Sequence, residues 1–242
     1  MPKRAPSPKG ILFDLDDTIL SAYGKPDVAW LKVAREFAIE IAPTAPTDFA
    51  VRVAQAAKTF WDDAGRHKEW RMQLDEARRK IVAQVMTDLP TPLPRGLASA
   101  IADRFTRLRD EEMHLFPGAH ETLDEFKRRG VKLALITNGA AAVQRAKVAR
   151  FALEHRFDHI QIEGEHGFGK PEEQAYRHAL AALDMLAGDV WMVGDNLEWE
   201  VAAPQRLGIY AIWHDAHRQG LPPGSEVRPD RIITELRELL DA

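Results

Sequence analysis

The chain has no cysteine among its 242 residues. That excludes disulfides, thiolate nucleophiles and cysteine-ligated zinc, and it is the usage expected in a reducing cytoplasm. No apolar run approaches the roughly 18 residues needed to cross a bilayer, so no membrane partner is expected. The opening stretch Met1–Gly10 holds three prolines and three basic residues but no apolar core. It does not read as a secretory signal, and a frayed tail is expected there. An excess of positive charge is missing too. Lys and Arg number 33 against 37 Asp and Glu, a net charge of -4, which gives no field for collecting nucleic acid. The basic triplets Arg78-Arg79-Lys80 and Lys127-Arg128-Arg129 fall inside helical patterns and read as solvated faces.

The sequence does hold an acidic cluster in an unusual setting. Ile11-Leu12-Phe13 is a short apolar run that leads into Asp14, Asp16, Asp17 and Thr18. A continuously apolar run reads as a parallel-sheet strand covered on both faces. Carboxylates this close repel one another and raise each other's pKa, so the cluster calls for a counter-charge. A hard cation such as Mg²⁺, held by one or two carboxylates and a phosphate, supplies it.

From about Pro26 to Asp110 the pattern is helical. Asp27 is expected to cap a first helix whose Val28, Leu31, Ala34, Phe37, Ala38 and Ile41 share one face, with a break at Pro43–Pro46. A second helix is expected over 47–64 with Gly65 as its stop, a third over 68–88, a rigid break at Pro90–Pro94, and a fourth over 96–109. Four short-linked helices suggest a small bundle.

From Phe116 helix and strand alternate. Strands are expected at 131–136, 157–162, 190–193, 209–213 and 231–233, and helices at 118–129, 140–151, from Pro171, and after a Thr234 cap. This alternation predicts an α/β fold with a Rossmann-like parallel sheet and helices on both faces. The helical stretch is then an insertion after the first strand. Ligands of such sheets bind beyond the carboxyl ends of the strands. Those ends carry Asp14, Asp16 and Thr18, then Thr137, Asn138 and Gly139, then Lys170, then Asp195, Asn196 and Glu200. Carboxylates, a hydroxyl, a glycine and a lysine at one edge suit a metal-bound phosphate.

Phe13-Asp14-Leu15-Asp16-Asp17-Thr18, Ile136-Thr137-Asn138-Gly139, Gly169-Lys170-Pro171 and Val193-Gly194-Asp195-Asn196 resemble, in order and spacing, the four motifs of the haloacid dehalogenase superfamily. The insertion resembles that family's helical cap of the first type. The resemblance implies a core domain of residues 1–20 and 112–242 and a cap domain of residues 21–111. It also implies a Mg²⁺-dependent phosphatase acting on a small phosphorylated metabolite, as a monomer or homodimer in the cytoplasm. In that reading Asp14 is the nucleophile. Asp16 is the acid and then the base, and must be protonated for the first half-reaction. Asp14, the Asp16 carbonyl and Asp195 hold the metal, with Glu200 and Asn196 behind them. Thr137 and the backbone N–H of Asn138 or Gly139 bind phosphate, and Lys170 offsets the pooled negative charge.

Two positions depart from the family's commonest pattern. Glu200 stands where a second Asp is frequent, with Glu198 as the alternative; and Pro204 should start or kink its helix. The resemblance leaves rivals open. A haloacid dehalogenase has no use for Asp16 or a metal; a phosphomutase shares these motifs; a non-catalytic phospho-ligand or protein-binding module needs no chemistry. The cap is expected to close over the site, with hinges near 21–25 and 109–116. Trp61, His67, Trp70 and Arg71 are the cap residues placed to reach substrate, against which the aromatic residues at helical spacing read as cap core and His67 as exposed; Glu165 and His166 are candidates to line the entrance.

Overall fold

The computed structural model describes residues 7–89, 94 and 96–241. The expected break at Pro90–Pro94 lies outside them except for Pro94. Of the expected tail, residues 7–10 are described, and Lys9 is tied down: its N–H bonds Asp189 O at 2.8 Å and its O accepts from Lys132 N–H at 3.0 Å.

The chain divides into two compact units, Met1–Ser21 with His114–Ala242, and Ala22–Met113. In chain order, β1 is Gly10–Phe13 and β2 Leu20–Ser21. The second unit is helical: α1 Pro26–Glu36, α2 Pro46–Trp61, α3 Ala64–Trp70, α4 Leu74–Thr87 and α5 Leu97–Glu112. Its core gathers Trp30, Val33, Phe49, Val53, Val82, Ile101 and Phe105. The Trp30 and Phe105 rings stack at 3.6 Å. Trp61 and Trp70 pack against this core, as the helical spacing implied.

Three helix boundaries in this unit differ from expectation, each for a local reason. Asp27 lies in the first turn, not at the cap, because Pro26 occupies the first helical positions after a left-handed Lys25. Glu36 ends α1 before Ile41, which is nonetheless buried. Gly65 does not stop α2. It sits inside α3, because the Asp63 carboxylate accepts from Arg66 N–H at 2.7 Å and restarts the helix. The stretch expected as one helix over 68–88 is therefore shared by α3 and α4.

Back in the first unit the chain forms β3 His114–Leu115, α6 Ala119–Arg128, β4 Lys132–Thr137, α7 Ala141–Arg150, β5 His159–Ile162 and α8 Glu163–His166. There follow α9 Glu173–Leu183, β6 Val190–Gly194, α10 Ala203–Arg206, β7 Tyr210–His214 and β8 Arg231–Ile233. The closing segment is a 3₁₀ helix, Leu236–Asp241. Thr234 does not cap it by accepting a bond. Glu238 instead reaches back and accepts from Thr234 N, Thr234 Oγ1 and Glu235 N at 2.8–3.0 Å.

The main sheet is parallel throughout, in the order β5-β4-β1-β6-β7-β8. The chain therefore winds outward from β1 through β4 and β5, then returns to its other flank through β6. That reversal leaves a crevice at the carboxyl ends of β1, β4 and β6. Continuous apolar strands make this possible, since Ile11, Leu12, Phe13, Leu133–Ile136 and Val190–Val193 are all buried. β2 and β3 pair antiparallel as a separate two-stranded ribbon. Among the described residues no helix is long and apolar enough to cross a membrane.

Candidate active site

The residues that the sequence placed at strand ends do meet, all within the first unit. Asp14 follows β1, its N–H held on Val193 O at 3.0 Å. Its side chain is buried. Thr18 Oγ1 donates to Oδ2 at 3.0 Å, and Lys170 Nζ donates to Oδ1. Lys170 comes from the turn before α9 and is 1% exposed. It also pairs with Glu200 Oε1 at 2.8 Å, so one ammonium lies between two carboxylates.

Asn138 explains how Lys170 is aimed. The Asn138 amide donates to Lys170 O at 2.7 Å and accepts from Lys170 N–H at 2.9 Å, so the end of β4 grips the lysine's own backbone. Gly139, with φ 116°, gives its N–H to Glu163 Oε2 at 3.1 Å. That N–H was expected to face a phosphate; here it meets a buried carboxylate. Thr137 is buried at the end of β4, and its Oγ1 accepts from Gln144 Nε2 at 2.5 Å.

Beyond β6, Gly194 has no room for a side chain: a Cβ there would lie 2.0 Å from Glu200 Cγ. This close approach lets Glu200 fold back under Asp195. Glu200 Oε2 accepts from Asn196 N–H at 2.8 Å. The Asn196 side chain is engaged elsewhere, as its Oδ1 accepts from Glu198 N and Trp199 N, both at 3.0 Å. Glu198 is exposed and pairs with Arg206 at 2.9 Å, whereas Glu200 is buried. Leu197–Ala202 is wound as a π-helix. Pro204 has no N–H to take up the Glu200 carbonyl, so an ordinary α-turn cannot continue there. Trp213 Nε1 donates to Asp195 O at 2.6 Å and fixes that turn from β7.

Asp16 is the surprise. Its carboxylate is paired with Lys147 Nζ at 2.7 and 2.8 Å and accepts from Gln144 Nε2 at 3.0 Å. Sequence reading missed Lys147, Gln144 and Glu163. Glu165 and His166 face other partners. Glu165 binds Arg145 at 2.6 and 2.7 Å, and the His166 ring packs against His178 at 4.7 Å and Phe168 at 5.7 Å.

The site is electrostatically tense. Burial pushes Asp14 up, and the Lys170 charge only partly offsets it. Burial also pushes Asp195 well up, helped by the charges of Glu200, Asp14 and Asp17. For Lys170, burial opposes the charge, but Asp14 and Glu200 outweigh it and raise its pKa. Burial lifts Glu200 from 4.5 to about 7 despite Lys170. A carboxyl raised in the folded state favours folding while protonated, and loses that contribution as pH rises through its folded value. Without divalent ions, Glu200→Gln should therefore gain stability relative to wild type between about pH 4.5 and 7, then level off. Thermal melts of both proteins across that range read this directly; a constant difference would contradict it.

A parallel sheet with a reversal at its centre, and buried acids and a lysine at that reversal, places the chain in the class of α/β proteins with a candidate site at their strand ends. The particular family follows from comparison. The family model of haloacid dehalogenase-like hydrolases matches residues 8–208, and the chain belongs to that family. It is 38% identical over 143 residues to a phosphoserine phosphatase of Thermus thermophilus, covering 59% of this chain and 56% of that enzyme. The chain thus aligns with little more than half the length of that relative. It is 28% identical over 243 residues to a glyceraldehyde 3-phosphate phosphatase of Pyrococcus furiosus, covering 96% and 92%. Among solved structures, the HAD-hydrolase YfnB of Bacillus subtilis superposes with a TM-score of 0.73 at 20% identity, covering 98% of each chain.

Proposed function

We propose that this chain is a phosphatase that hydrolyses a small phosphomonoester through an aspartyl phosphate on Asp14, with Mg²⁺ as its cofactor. The observation that carries the reading is Asp14 itself. It is a buried carboxylate at the end of the central strand, faced by a fully buried lysine and by the charge of a second aspartate. The relatives named above are phosphatases of small phosphorylated metabolites, which supports the same substrate class.

The donor set fits Mg²⁺. Asp14 is pushed toward protonation by burial and the charge of Asp16, and Asp195 by burial and the charges of Glu200 and Asp14, so a cation relieves them. Among the described residues no three His, Asp or Glu side chains form a ready cage. The residues that would hold Mg²⁺ are Asp14 and Asp195 through their carboxylates and Asp16 through its carbonyl, all hard oxygen donors. When bound, Mg²⁺ neutralises phosphate charge.

In the first half-reaction an Asp14 carboxylate oxygen attacks phosphorus. The bond from phosphorus to the ester oxygen breaks, and the Asp16 proton passes to that oxygen. In the second, water attacks phosphorus, its proton goes to Asp16, and the bond to Asp14 breaks. Lys170 holds Asp14 in place and offsets the charge gathered there. Thr137 and the Asn138 N–H receive phosphate oxygens, and Glu200 orients Lys170 and closes the Asp195–Asn196 turn. The inserted helices read as the cap domain, residues 21–111; the compact unit Ala22–Met113 supports that division.

A panel of phosphomonoesters tests the reading. With Mg²⁺, p-nitrophenyl phosphate and at least one of serine phosphate, glyceraldehyde 3-phosphate or a pentose phosphate should release inorganic phosphate, and chelation should stop it. Halide release from a 2-haloalkanoate with no phosphate release from any ester would overturn it.

A further inference from the structure

Among the described residues, the Asp16 carboxylate is held by helix α7, through Gln144 and Lys147. Lys147 is 6% exposed and Gln144 2% exposed, and both contribute to the buried face of that helix. They stand three residues apart, so their side chains project side by side. A lysine on a helix ordinarily keeps its stem on apolar surface and its ammonium in water. Here the ammonium is drawn in, and both carboxylate oxygens of Asp16 receive it.

Gln144 adds a second connection. Its Nε2 is within hydrogen-bond distance of three acceptors: Asp16 Oδ2 at 3.0 Å, Thr137 Oγ1 at 2.5 Å and Asn138 O at 2.9 Å. Its Oε1 is buried with no hydrogen-bond partner among the described residues. The side chain therefore sits where the Nε2 contacts are met, at the expense of its own carbonyl. Those contacts join Asp16 to the turn after β4.

We propose that Lys147 and Gln144 are the positioning residues of Asp16: both reach Oδ2, which anchors the side chain to the Thr137–Asn138 turn and leaves Oδ1 to carry the proton exchanged with the ester oxygen and then with water. This rests on the reading of Asp16 as the acid and base of a phosphatase. Proton delivery works only at hydrogen-bond reach, and small misplacements are costly. The need for it depends on the leaving group. An alkoxide is a poor leaving group and needs the proton, whereas p-nitrophenolate leaves without it. A loosened Asp16 should therefore slow leaving-group departure from alkyl esters selectively; water attack, which uses Asp16 as base whichever ester was bound, slows for both kinds, so the first step is read in a single turnover.

The test uses the full chain with Mg²⁺, p-nitrophenyl phosphate, and the alkyl phosphomonoester turned over fastest in the panel. Lys147→Met should lower the single-turnover rate of leaving-group release about 100-fold from the alkyl ester and less than about 5-fold from the aryl ester. Gln144→Leu should show the same split more weakly, which keeps the question open to measurement should Lys147→Met fold poorly. Lys147→Arg, which can still meet both oxygens, should recover most of the alkyl activity. Asp16→Asn sets the limit of the pattern. Equal losses of that first-step rate on the two esters, or no loss, in an otherwise active enzyme overturn the positioning role and leave the phosphatase reading standing. A wild-type chain that hydrolyses neither ester overturns that reading, and this proposal with it.

Discussion

Asp14→Asn should lower phosphomonoester turnover by at least about 10³-fold and leave the protein folded. The substitution keeps the shape of the side chain and removes its nucleophilic charge. The Thr18 contact can persist through the remaining carbonyl oxygen, and Lys170 keeps Glu200 at 2.8 Å as its counter-ion. Neither Glu200 nor Asp16 is offered as a substitute, because Glu200 is turned onto Lys170 and the Asn196 N–H, and Asp16 onto Lys147. Steady-state kinetics and a thermal melt on one preparation check both halves. A folded variant that still turns over with Mg²⁺ removes Asp14 from the role given to it.

The second large effect is on stability. Lys170→Ala should cost about 3–5 kcal/mol in metal-free protein near pH 8, because it leaves Asp14 and Glu200 buried without their shared cation. The sign of the pH dependence follows from burial. Glu200 titrates at about 7, so near pH 5 it is neutral and no longer requires Lys170. Asp14 is shifted in the same direction. The loss measured by denaturant unfolding should therefore shrink between pH 8 and pH 5. A loss of the same size at both values would show that packing of the lysine stem, and not charge, is what the substitution removes.

The strand-end residues were legible because their strands are. Ile11–Phe13, Leu133–Ile136 and Val190–Val193 are continuously apolar, and each run stops at polar residues: Asp14, Thr137 with Asn138, and Asp195. Once a parallel sheet is inferred, those stops must share one edge. The residues on α7 were not legible in this way. Its buried face includes Gln144, Lys147 and Val148, while Val143 on the same helix is exposed. A search for apolar residues at helical spacing passes over a face whose purpose is polar. Gln144 and Lys147 carry the right spacing for one face, but nothing marks them as turned inward until the position of Asp16 is known. Glu163 was missed for a related reason, since it opens α8, a four-residue helix directly after β5 that periodicity cannot detect.

The helical unit shows the opposite balance. Its apolar stripes predicted that helices would form, but not where they end. The signal at Asp63 was present in the sequence, since an aspartate three residues before Arg66 is a helix start. Gly65 was read as a stop because glycine is common there; a cap two residues earlier outweighed it. Between Glu198 and Glu200, sequence favoured the second only weakly. The structure separates them by the Gly194 contact, which gives Glu200 alone a path inward.

The central claim is that phosphate leaves its ester by way of Asp14. Protein mixed with excess p-nitrophenyl phosphate and Mg²⁺, quenched in acid within one turnover and digested, should carry one phosphoryl group on the peptide that contains Asp14. The Asp14→Asn protein, handled in parallel, should carry none. A phosphoryl group on any other residue, or turnover with no labelled peptide at any quench time, would contradict the account.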